Sequence, residues 1–279
     1  MKKVLVIGDD SYIGKSFEAF AKNKFEIKMV NSRNDAWKGV DFTGYDSVLH
    51  CAGIAHEKQA KKMKSLYYKI NCDLTVDVAQ KAKFSNIKQF IFLSSMAVYG
   101  TKISEIDKDT APNPNKGDFY GSSKLKAEQE LQKLVDEDFK LCIVRPPMVY
   151  GKGCKGNFPR LVKLAKTMPI FPNYQNKRSM IYIENLCEFF CVLIENKDNG
   201  VFSPQNEDYV NTTELVKCIA ECCGRRIVTI KLFNPLIRFI TKHMSIFEKL
   251  FGNLYYIKQG NEEDYNTVSF EDSIKRSIK

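Results

Sequence analysis

Short apolar runs alternate with longer amphipathic stretches along the first two-thirds of the chain. Apolar runs of five or six residues bounded by turn residues are typical of buried strands, whereas apolar residues spaced three and four apart are typical of helices. The predicted strands are Lys3–Ile7, Phe25–Val30, Ser47–Cys51, Gln89–Leu93 and Lys140–Val144. Strands that alternate with helices predict a doubly wound α/β fold, in which helices cover both faces of a parallel sheet.

Two departures from this alternation shape the predicted domains. The interval from Val30 to Ser47 leaves little room for the usual helix and strand, so we expect an abbreviated crossover there. Beyond Gly151 the pattern becomes irregular, then returns to a helix at Ile181–Glu195, a short strand at Val201–Gln205 and a final helix–strand–helix order. We predict a sheet domain over residues 1–150 and about 178–206, and a small C-terminal substrate lobe over about 151–177 and 207–279.

Composition places the chain among soluble, folded proteins. It has 279 residues, of which 44% are hydrophobic and 27% charged. No apolar run approaches the roughly 20 residues of a membrane span, and the run Val4–Ile7 is too short for a signal peptide. The nine cysteines are scattered without paired C-x-x-C spacing, which favours reduced thiols over disulfides or zinc. We expect a cytoplasmic protein without a metal ion.

The net charge of +10 raises the question of a nucleic-acid or lipid partner. The densest basic stretch, residues 58–64, has the spacing of a solvated helix face, and no nucleic-acid-binding motif accompanies it. A basic protein also attracts phosphorylated small molecules. We therefore expect no nucleic-acid partner.

A glycine turn follows the first predicted strand and opens the first helix. Its sequence runs Gly8-Asp9-Asp10-Ser11-Tyr12-Ile13-Gly14, with serine in the middle position of the glycine pattern. Glycines let a backbone approach a pyrophosphate, which the exposed amides of a helix N-terminus stabilise. A tight structural turn would explain the same glycines, so the turn alone does not decide between the two readings.

The end of the second strand bears on the choice between NAD and NADP. An acidic residue there accepts hydrogen bonds from the ribose hydroxyls of NAD, whereas an arginine holds the 2′-phosphate of NADP. The sequence reads Asn31-Ser32-Arg33 and has no acid before Asp35. This pattern favours NADP(H) over NAD(H), although a solvated loop would also account for Arg33.

A tyrosine and a lysine lie four residues apart at the start of a predicted helix, Tyr120 to about Val135. Tyr120 and Lys124 therefore share one helix face, where the ammonium would lower the pKa of the phenol toward the range useful for acid–base catalysis. Ser95 follows the end of a strand and offers a hydroxyl for the reacting oxygen. Together with the glycine turn, these three residues predict a catalytic site.

These motifs resemble those of the extended short-chain dehydrogenases/reductases, in the nucleotide-sugar epimerase/dehydratase group. The resemblance covers Lys3 to about Leu186. It is carried by Gly8–Gly14, His50–Gly53, Asn71, Ser94–Gly100, Tyr120–Lys124 and Arg145–Gly151. It implies a Rossmann-type sheet domain, a nicotinamide cofactor and a nucleoside-diphosphate sugar as substrate.

The resemblance also assigns roles to individual residues. Tyr120 would be the general acid/base, Lys124 would bind the nicotinamide ribose, and Ser95 would orient the sugar oxygen. The other cofactor contacts that we expect are Gly8, Ser11, Tyr12, Ile13, Gly14, Asn31, Ser32, Arg33, Asp41, Phe42, Ala52, Gly53, Asn71, Pro146 and Met148. Asp41 and Phe42 would contact the adenine, and Asn71 would brace the site.

Three residues would contact the substrate besides Ser95. Met96 follows Ser95 directly, and Arg178 aligns with an arginine that grips the diphosphate of the sugar nucleotide, a task that suits a guanidinium. Asn157 resembles a substrate-binding asparagine. A surface position for Arg178 and a helix cap at Asn157 are the alternatives.

Within the group, several functions compete. Met96 and Ala97 stand where dehydratases have an acidic pair, which disfavours dehydration. The short chain, the abbreviated crossover and the non-acidic strand end favour a 4-ketoreductase of a UDP-4-keto-6-deoxy-hexosamine in surface-polysaccharide biosynthesis. A UDP-hexose or UDP-N-acetylhexosamine 4-epimerase is the alternative. A non-catalytic nucleotide sensor on the same fold is disfavoured because Ser95, Tyr120 and Lys124 are all present.

An amphipathic segment lies near the C-terminus, from Pro235 to Phe251. Its apolar stripe comprises Leu236, Ile237, Ile240, Met244, Phe247, Leu250 and Phe251, with Arg238, Lys242 and Lys249 off the stripe. Such a helix packs on the substrate lobe, forms a dimer contact or lies on an anionic membrane. We favour packing, expect no membrane contact and leave a homodimer open.

Overall fold

A parallel six-stranded sheet organises the first part of the protein. The structure, a computed structural model, describes residues 1–55, 61–232, 234–243, 245–260 and 262–279. The strands are β1 (Lys3–Ile7), β2 (Glu26–Val30), β3 (Ser47–His50), β4 (Gln89–Leu93), β5 (Glu105–Ile106), β6 (Lys140–Val144), β7 (Met148–Tyr150), β8 (Ile170–Pro172), β9 (Met180–Tyr182), β10 (Gly200–Phe202), β11 (Val228–Ile230) and β12 (Tyr255–Tyr256). The large sheet has the order β10-β6-β4-β3-β1-β2, and all its pairs are parallel. The predicted α/β fold class is confirmed.

Helices connect these strands. They are α1 (Tyr12–Ala21), α2 (Lys64–Tyr68), α3 (Leu74–Phe84), α4 (Phe119–Gln132), α5 (Asn157–Thr167), α6 (Ile183–Asn196), α7 (Thr212–Cys222), α8 (Asn234–His243), α9 (Ser245–Phe251) and α10 (Phe270–Ile278). A π-helical turn, Lys69–Asp73, lies between α2 and α3. The inner strands of the large sheet are largely apolar because both faces are covered: every residue of β4 is buried, and so are Val4–Ile7 of β1. At the edge, Glu26 and Lys28 of β2 are exposed.

The crossover between β2 and β3 is short, as the spacing predicts. It contains only a 3₁₀ stretch, Arg33–Gly39, in which Asn34 and Asp35 adopt positive φ angles of 51° and 58°. Trp37 from this stretch and the following Phe42 are buried in the same core as β1 and α3. The crossover is thus anchored by two aromatic side chains instead of a full helix.

The structure differs from the sequence prediction at two elements. The predicted helix over Ile181–Glu195 begins only at Ile183, because Met180–Tyr182 form β9 and pair with β7. The predicted C-terminal helix consists of α8 and α9. Met244 of the apolar stripe, and residues 58–60 of the predicted basic helix face, lie outside the described residues.

The chain divides into two compact units. The first comprises residues 1–100, 112–146 and 186–204, and it contains the large sheet. The second comprises residues 101–111, 147–185 and 205–279. Its strands pair two by two, as β5 with β12, β7 with β9 and β8 with β11.

Candidate active site

The turn after β1 is packed too tightly for any residue larger than glycine at its first position. Gly8 has a φ of 110°, and a Cβ atom there would lie 2.8 Å from the backbone nitrogen of Ala52. Gly14 is similarly confined, since its Cβ would lie 3.0 Å from the Gly8 carbonyl oxygen and 3.2 Å from Val6 Cγ1. The turn thus presses against the ends of β1 and β3. This geometry brings backbone amides to a phosphate and fits a dinucleotide.

Ser11 occupies the middle position of the glycine pattern and caps α1. Its hydroxyl accepts a hydrogen bond from the Gly14 amide at 3.4 Å, and its own amide donates to the Gly8 carbonyl at 3.0 Å. Serine is a favoured N-cap residue, which gives a local reason for its presence there. Tyr12 and Ile13 open the helix directly after this cap.

Two carboxylates of the glycine turn reach the end of β2. Asp9 Oδ2 accepts a hydrogen bond from Asn31 Nδ2 at 3.1 Å, and Asp10 forms an ion pair with Arg33. The other carboxylate oxygen of Asp9, Oδ1, is shielded from solvent and has no hydrogen-bond partner among the described residues. A buried carboxylate oxygen without a donor is a suitable acceptor for a ribose hydroxyl. Sequence reading missed Asp9 because the acid comes from the turn and not from β2.

Ser32 directly precedes the 3₁₀ stretch. Asp41 and Phe42, the predicted adenine contacts, differ in their exposure. The Phe42 side chain lies wholly in the core, with Lys81 Nζ 4.8 Å from its ring centroid. Asp41 is exposed, and its carboxylate accepts a hydrogen bond from the Thr43 amide at 2.9 Å. The side chain of Phe42 is therefore not placed to stack on a base, and only Asp41 presents a polar group.

Asn71 joins the loop after β3 to helix α4. Its Oδ1 accepts from the Ile54 amide at 2.8 Å, while its Nδ2 donates to the Ile54 carbonyl and the Ser123 hydroxyl, both at 3.1 Å. A Cβ atom at Gly53 would lie 3.0 Å from Asn71 Oδ1 and 3.2 Å from Lys124 Nζ. Asn71 thus holds the Ala52–Ile54 loop against the face of α4 that carries Lys124, as a bracing role requires.

Ser95 lies near enough to Tyr120 to lower the pKa of its phenol. Ser95 caps the 3₁₀ turn Met96–Tyr99, in which its hydroxyl accepts from the Ala97 amide at 3.1 Å. Gly121 permits the close approach, because a Cβ atom there would lie only 2.6 Å from the Ala97 carbonyl oxygen. The glycine that follows Tyr120 therefore allows α4 to pack on the serine turn.

Lys124 is buried, and its ammonium is held in one position. Its Nζ donates to the Leu93 carbonyl at 2.8 Å and lies 4.7 Å from the ring centroid of Phe92. Burial disfavours the charged form and lowers the pKa of Lys124 to about 8, although Cys51 and Glu128 oppose this. The side chain is directed by the end of β4 toward the loop that contains Gly53.

The pKa of Tyr120 is raised above its ordinary value, chiefly because burial withdraws water from the phenolate. The neighbouring Ser95 acts in the opposite direction, and Asp118 raises the pKa further. The expected lowering of this pKa by Lys124 is therefore wrong for this structure. Tyr120 keeps its proton at neutral pH, which is the form required of a general acid.

A buried ion pair fixes the serine turn to α4 and β6. Arg145 Nε donates to Glu128 Oε1 at 3.0 Å, its Nη2 to Glu128 Oε2 at 2.5 Å and its Nη1 to the Tyr99 hydroxyl at 2.7 Å. The Ser94 hydroxyl also donates to Glu128. Ser94 and Tyr99 flank the turn that holds Ser95 and Met96, so this network determines where the catalytic hydroxyl lies.

Two further residues support the site, and the sequence analysis gave neither of them a role. Asp118 caps α4, accepting from the amides of Tyr120 and Gly121 at 3.1 Å each, and an aspartate just before the helix was the available signal. His50 is fully buried and hydrogen-bonds Thr75 Oγ1 at 3.0 Å, which in turn donates to the Asn71 carbonyl. No sequence spacing pointed to His50, because its partner lies 25 residues away on α3.

Pro146 and Met96 are joined next to the serine turn. The Met96 amide donates to the Pro146 carbonyl at 2.9 Å, and both side chains are buried. Met96 therefore offers a substrate little of its side chain. Met148 is half-buried on β7 of the second unit, where it pairs with Met180.

The two predicted substrate residues of the second unit have different surroundings. Arg178 is half-buried between Val210 and Leu254, and its Nη1 donates to the Gly252 carbonyl at 2.9 Å. Burial lowers its pKa to about 10, since desolvation disfavours the guanidinium charge. Asn157 is exposed at the start of α5, whose N-cap is Gly156, so a capping role does not explain it.

Within the described part of the chain, no three His, Cys, Asp or Glu residues are grouped as metal ligands.

The parallel sheet, the tight glycine turn and the Ser95–Tyr120–Lys124 arrangement define an NAD(P)-dependent enzyme of the short-chain dehydrogenase/reductase class. The profile of the "NAD dependent epimerase/dehydratase family" matches residues 3–210. The chain belongs to this family, as predicted.

Sequence relatives include two 4-epimerases. The chain is 35% identical to a UDP-glucose 4-epimerase of Vibrio cholerae over 78% of this chain and 70% of that protein. It is 25% identical to an N-acetyl-alpha-D-glucosaminyl-diphospho-ditrans,octacis-undecaprenol 4-epimerase of Escherichia coli O157:H7, over 98% of this chain and 88% of that protein.

Solved structures with the same fold include both reductases and epimerases. The dTDP-4-dehydrorhamnose reductase of Bacillus anthracis, in complex with NADP, superposes with a TM-score of 0.75 at 20% identity, over 100% of this chain and 99% of the other. The UDP-glucuronic acid 4-epimerase of Bacillus cereus, in complex with NAD, gives 0.74 at 19% identity, over 99% and 95%. At this identity the likeness concerns the fold alone.

Proposed function

We propose that the protein is an NAD-dependent 4-epimerase of a hexose or N-acetylhexosamine that is joined to its carrier through a diphosphate. The observation that carries this proposal is the acidic surrounding of the β2 end. Asp10 neutralises Arg33, and Asp9 presents a shielded carboxylate oxygen without a described donor. The Asp10–Arg33 ion pair offsets the guanidinium charge that a 2′-phosphate would need, while the Asp9 carboxylate repels that phosphate and accepts from ribose hydroxyls. This end of β2 therefore favours NAD over the NADP that the sequence alone favoured.

In the proposed reaction, Tyr120 transfers the proton, while Ser95 and Lys124 position and stabilise the reacting groups. Bound NAD supplies the hydride acceptor and, in the reverse step, the hydride donor. Tyr120 acts first as its phenolate, the minority form at neutral pH, and takes the proton of the sugar 4-hydroxyl as C4 is oxidised. The phenol that results returns this proton to the oxygen when C4 is reduced on its other face. Ser95 holds that oxygen by hydrogen bonding, while Lys124 provides a fixed positive charge.

Arg178 is proposed to hold the diphosphate. Its charge is disfavoured by burial and it makes one described side-chain hydrogen bond, to the Gly252 carbonyl, so an anionic ligand would stabilise it strongly. Asn157 is exposed on the same unit and is proposed to contact the substrate as well. Either role applies whether the diphosphate joins the sugar to a nucleoside or to a polyprenol.

A 4-ketoreductase of a UDP-4-keto-6-deoxy-hexosamine is the second candidate. The short crossover between β2 and β3, which favoured a reductase in the sequence analysis, is present in the structure. A direct comparison separates the two. Purified protein is incubated with UDP-glucose, UDP-N-acetylglucosamine or N-acetylglucosaminyl-diphospho-undecaprenol plus NAD or NADP, and separately with the 4-keto sugar plus NADH or NADPH. We expect the 4-epimer of one of the first three with NAD. Reduction of the keto sugar without any epimer would support the reductase instead.

A further inference from the structure

Four large apolar side chains of the second unit are exposed on elements that are directly joined. They are Ile170 on β8, Val228 on β11, Leu232 in the turn after β11 and Phe239 on α8. Ile170 and Val228 are register partners in the β8–β11 pair. The most exposed are Leu232 at 79% and Phe239 at 64%, so burial in the unit does not account for them.

Hydrogen bonds hold these elements together as one surface. The Asn234 amide at the start of α8 donates to the Lys231 carbonyl at 3.0 Å, and its Nδ2 donates to the Asn173 carbonyl at 2.9 Å. The Asn173 amide donates to the Ile230 carbonyl at 2.8 Å. Arg225, just before β11, donates to the Lys166 carbonyl at the end of α5. The turn, the strand pair, the end of α5 and the start of α8 are thus fixed to one another.

The charge around these apolar side chains is mainly positive, with Glu221 as an acidic neighbour of Arg226. Residues 147–183 contain seven lysines and arginines and no acid, and residues 222–247 contain five and no acid. The acids resume only at Glu221 and Glu248. Among the basic residues, Lys166, Arg225, Arg226, Lys231 and Arg238 are exposed on or beside the joined elements. We call these five and the four apolar residues the basic–apolar surface.

Helix α8 has a buried side and an exposed side. Ile237 is buried in the unit, as the packing of the predicted stripe requires, and Phe251 of α9 packs 5.8 Å from Phe171. Arg238 and Phe239 on α8 are exposed instead. The stripe can therefore pack as the sequence analysis expected while a different set of residues is presented outward.

We propose that the basic–apolar surface docks the protein on an anionic phospholipid bilayer. Apolar side chains that enter the head-group region while cations neutralise phosphates are the combination by which peripheral proteins bind such membranes. Nucleic acid would pair with the cations and stack on Phe239, but it offers no apolar surroundings for the exposed aliphatic side chains of Ile170, Val228 and Leu232. No helix of the described residues is long and apolar enough to cross a membrane, so the contact is interfacial. This inference is independent of the reaction proposed above.

Vesicle co-sedimentation of the full chain tests the proposal. We expect binding to vesicles of phosphatidylcholine with phosphatidylglycerol, weakening as salt increases, and far less binding to phosphatidylcholine alone. The double variant Leu232→Ser/Phe239→Ser should lower the partition coefficient at least about tenfold. The double variant Arg226→Glu/Arg238→Glu should do the same by reversing charge.

Matched controls come from the first unit. Phe84 is 92% exposed on α3, so Phe84→Ser removes an equally exposed aromatic residue, and Lys22→Glu reverses an exposed charge. Both controls should sediment like the wild type, and all variants should keep the wild-type melting temperature because the altered side chains are exposed.

The proposal is wrong if the wild type does not bind anionic vesicles, or if the controls lose binding to the same extent as the surface variants. A dimer that dissociates in Leu232→Ser/Phe239→Ser, without vesicle binding, would assign the surface to a second copy of the chain.

Discussion

Burial raises the pKa of Tyr120 more than the neighbouring Ser95 lowers it, so the phenol is protonated at neutral pH. Tyr120→Phe removes only the hydroxyl, so we expect turnover to fall by at least about two orders of magnitude while NAD affinity is retained. Steady-state kinetics and a cofactor titration measure the two quantities. Tyr45→Phe, at another half-buried tyrosine of the same unit, is the control and should leave both unchanged. Near-normal turnover in Tyr120→Phe would remove the catalytic assignment.

Asp9 is the residue on which cofactor choice depends. Asp9→Asn keeps the shape of the side chain but removes its charge, so we expect NAD affinity to fall about tenfold, as for the loss of a charge-assisted hydrogen bond. The preference for NAD over NADP should shrink because repulsion of the 2′-phosphate is weaker. Arg33→Ala should leave NAD affinity nearly unchanged, since Asp10 already pairs with that guanidinium. A strong loss of NADP affinity in Arg33→Ala would instead restore the cofactor that the sequence favoured.

The candidate catalytic residues were identifiable from sequence because each has a local signature. Tyr120 and Lys124 have helical spacing, Ser95 follows a strand, and the glycines follow β1. Asp9 was overlooked because its importance depends on its approach to Asn31, 22 residues away. The pKa of Tyr120 was misjudged for a similar reason: spacing places Lys124 on the same face, but only the structure shows that its ammonium is held by the Leu93 carbonyl.

Helix α4 owes its position to one glycine. A methyl group at Gly121 would lie 2.6 Å from the Ala97 carbonyl oxygen, so Gly121→Ala forces α4 away from the serine turn. We expect a loss of about 1–3 kcal/mol in the free energy of unfolding, typical of overpacking, together with a fall in kcat as Tyr120 and Ser95 separate. Denaturant unfolding and turnover measure the two effects. Gly39→Ala, where a Cβ atom meets nothing within 4 Å, should be neutral in both. Equal effects of the two substitutions would refute the packing argument.

At the level of elements, apolar periodicity located the strands of the large sheet and β11, but not the other short strands of the second unit. The runs at Lys3–Ile7, Gln89–Leu93 and Lys140–Val144 were predicted with the bounds that the structure has. Met180–Tyr182 was assigned to the following helix, because its strand character comes from pairing with Met148–Tyr150 and not from its own sequence. Short strands of this kind are defined by tertiary contacts, which a local pattern does not contain.

The stability of the whole molecule should depend on pH through His50. Burial, and then the charge of Lys124, lower the pKa of His50 to about 3, from an ordinary value of 6.5. Between these values the unfolded chain binds a proton that the folded protein does not, so this residue makes folding less favourable as the pH falls below about 6.5. The expected loss is about 1.4 kcal/mol per pH unit well inside that window.

His50→Leu isolates this contribution. We expect the free energy of unfolding of the wild type to fall more steeply between pH 6.5 and pH 5 than that of His50→Leu, by about 1–2 kcal/mol over the interval. Urea unfolding at several pH values measures the difference. Parallel pH profiles of the two proteins would mean that His50 binds a proton equally well in the folded and unfolded states, which would contradict its lowered pKa.

In the proposed epimerisation, C4 of the sugar is oxidised and reduced again within a single turnover. UDP-N-acetylglucosamine and its undecaprenol-linked counterpart, each carrying deuterium at C4, are incubated in ordinary water with the protein and a catalytic amount of NAD, and the products are followed by NMR. We expect the 4-epimer of one of them with deuterium retained at C4 and no net formation of NADH, because the hydride returns to the carbon that it left. Loss of the label to solvent, or consumption of cofactor in proportion to sugar with no 4-epimer, would contradict the claim.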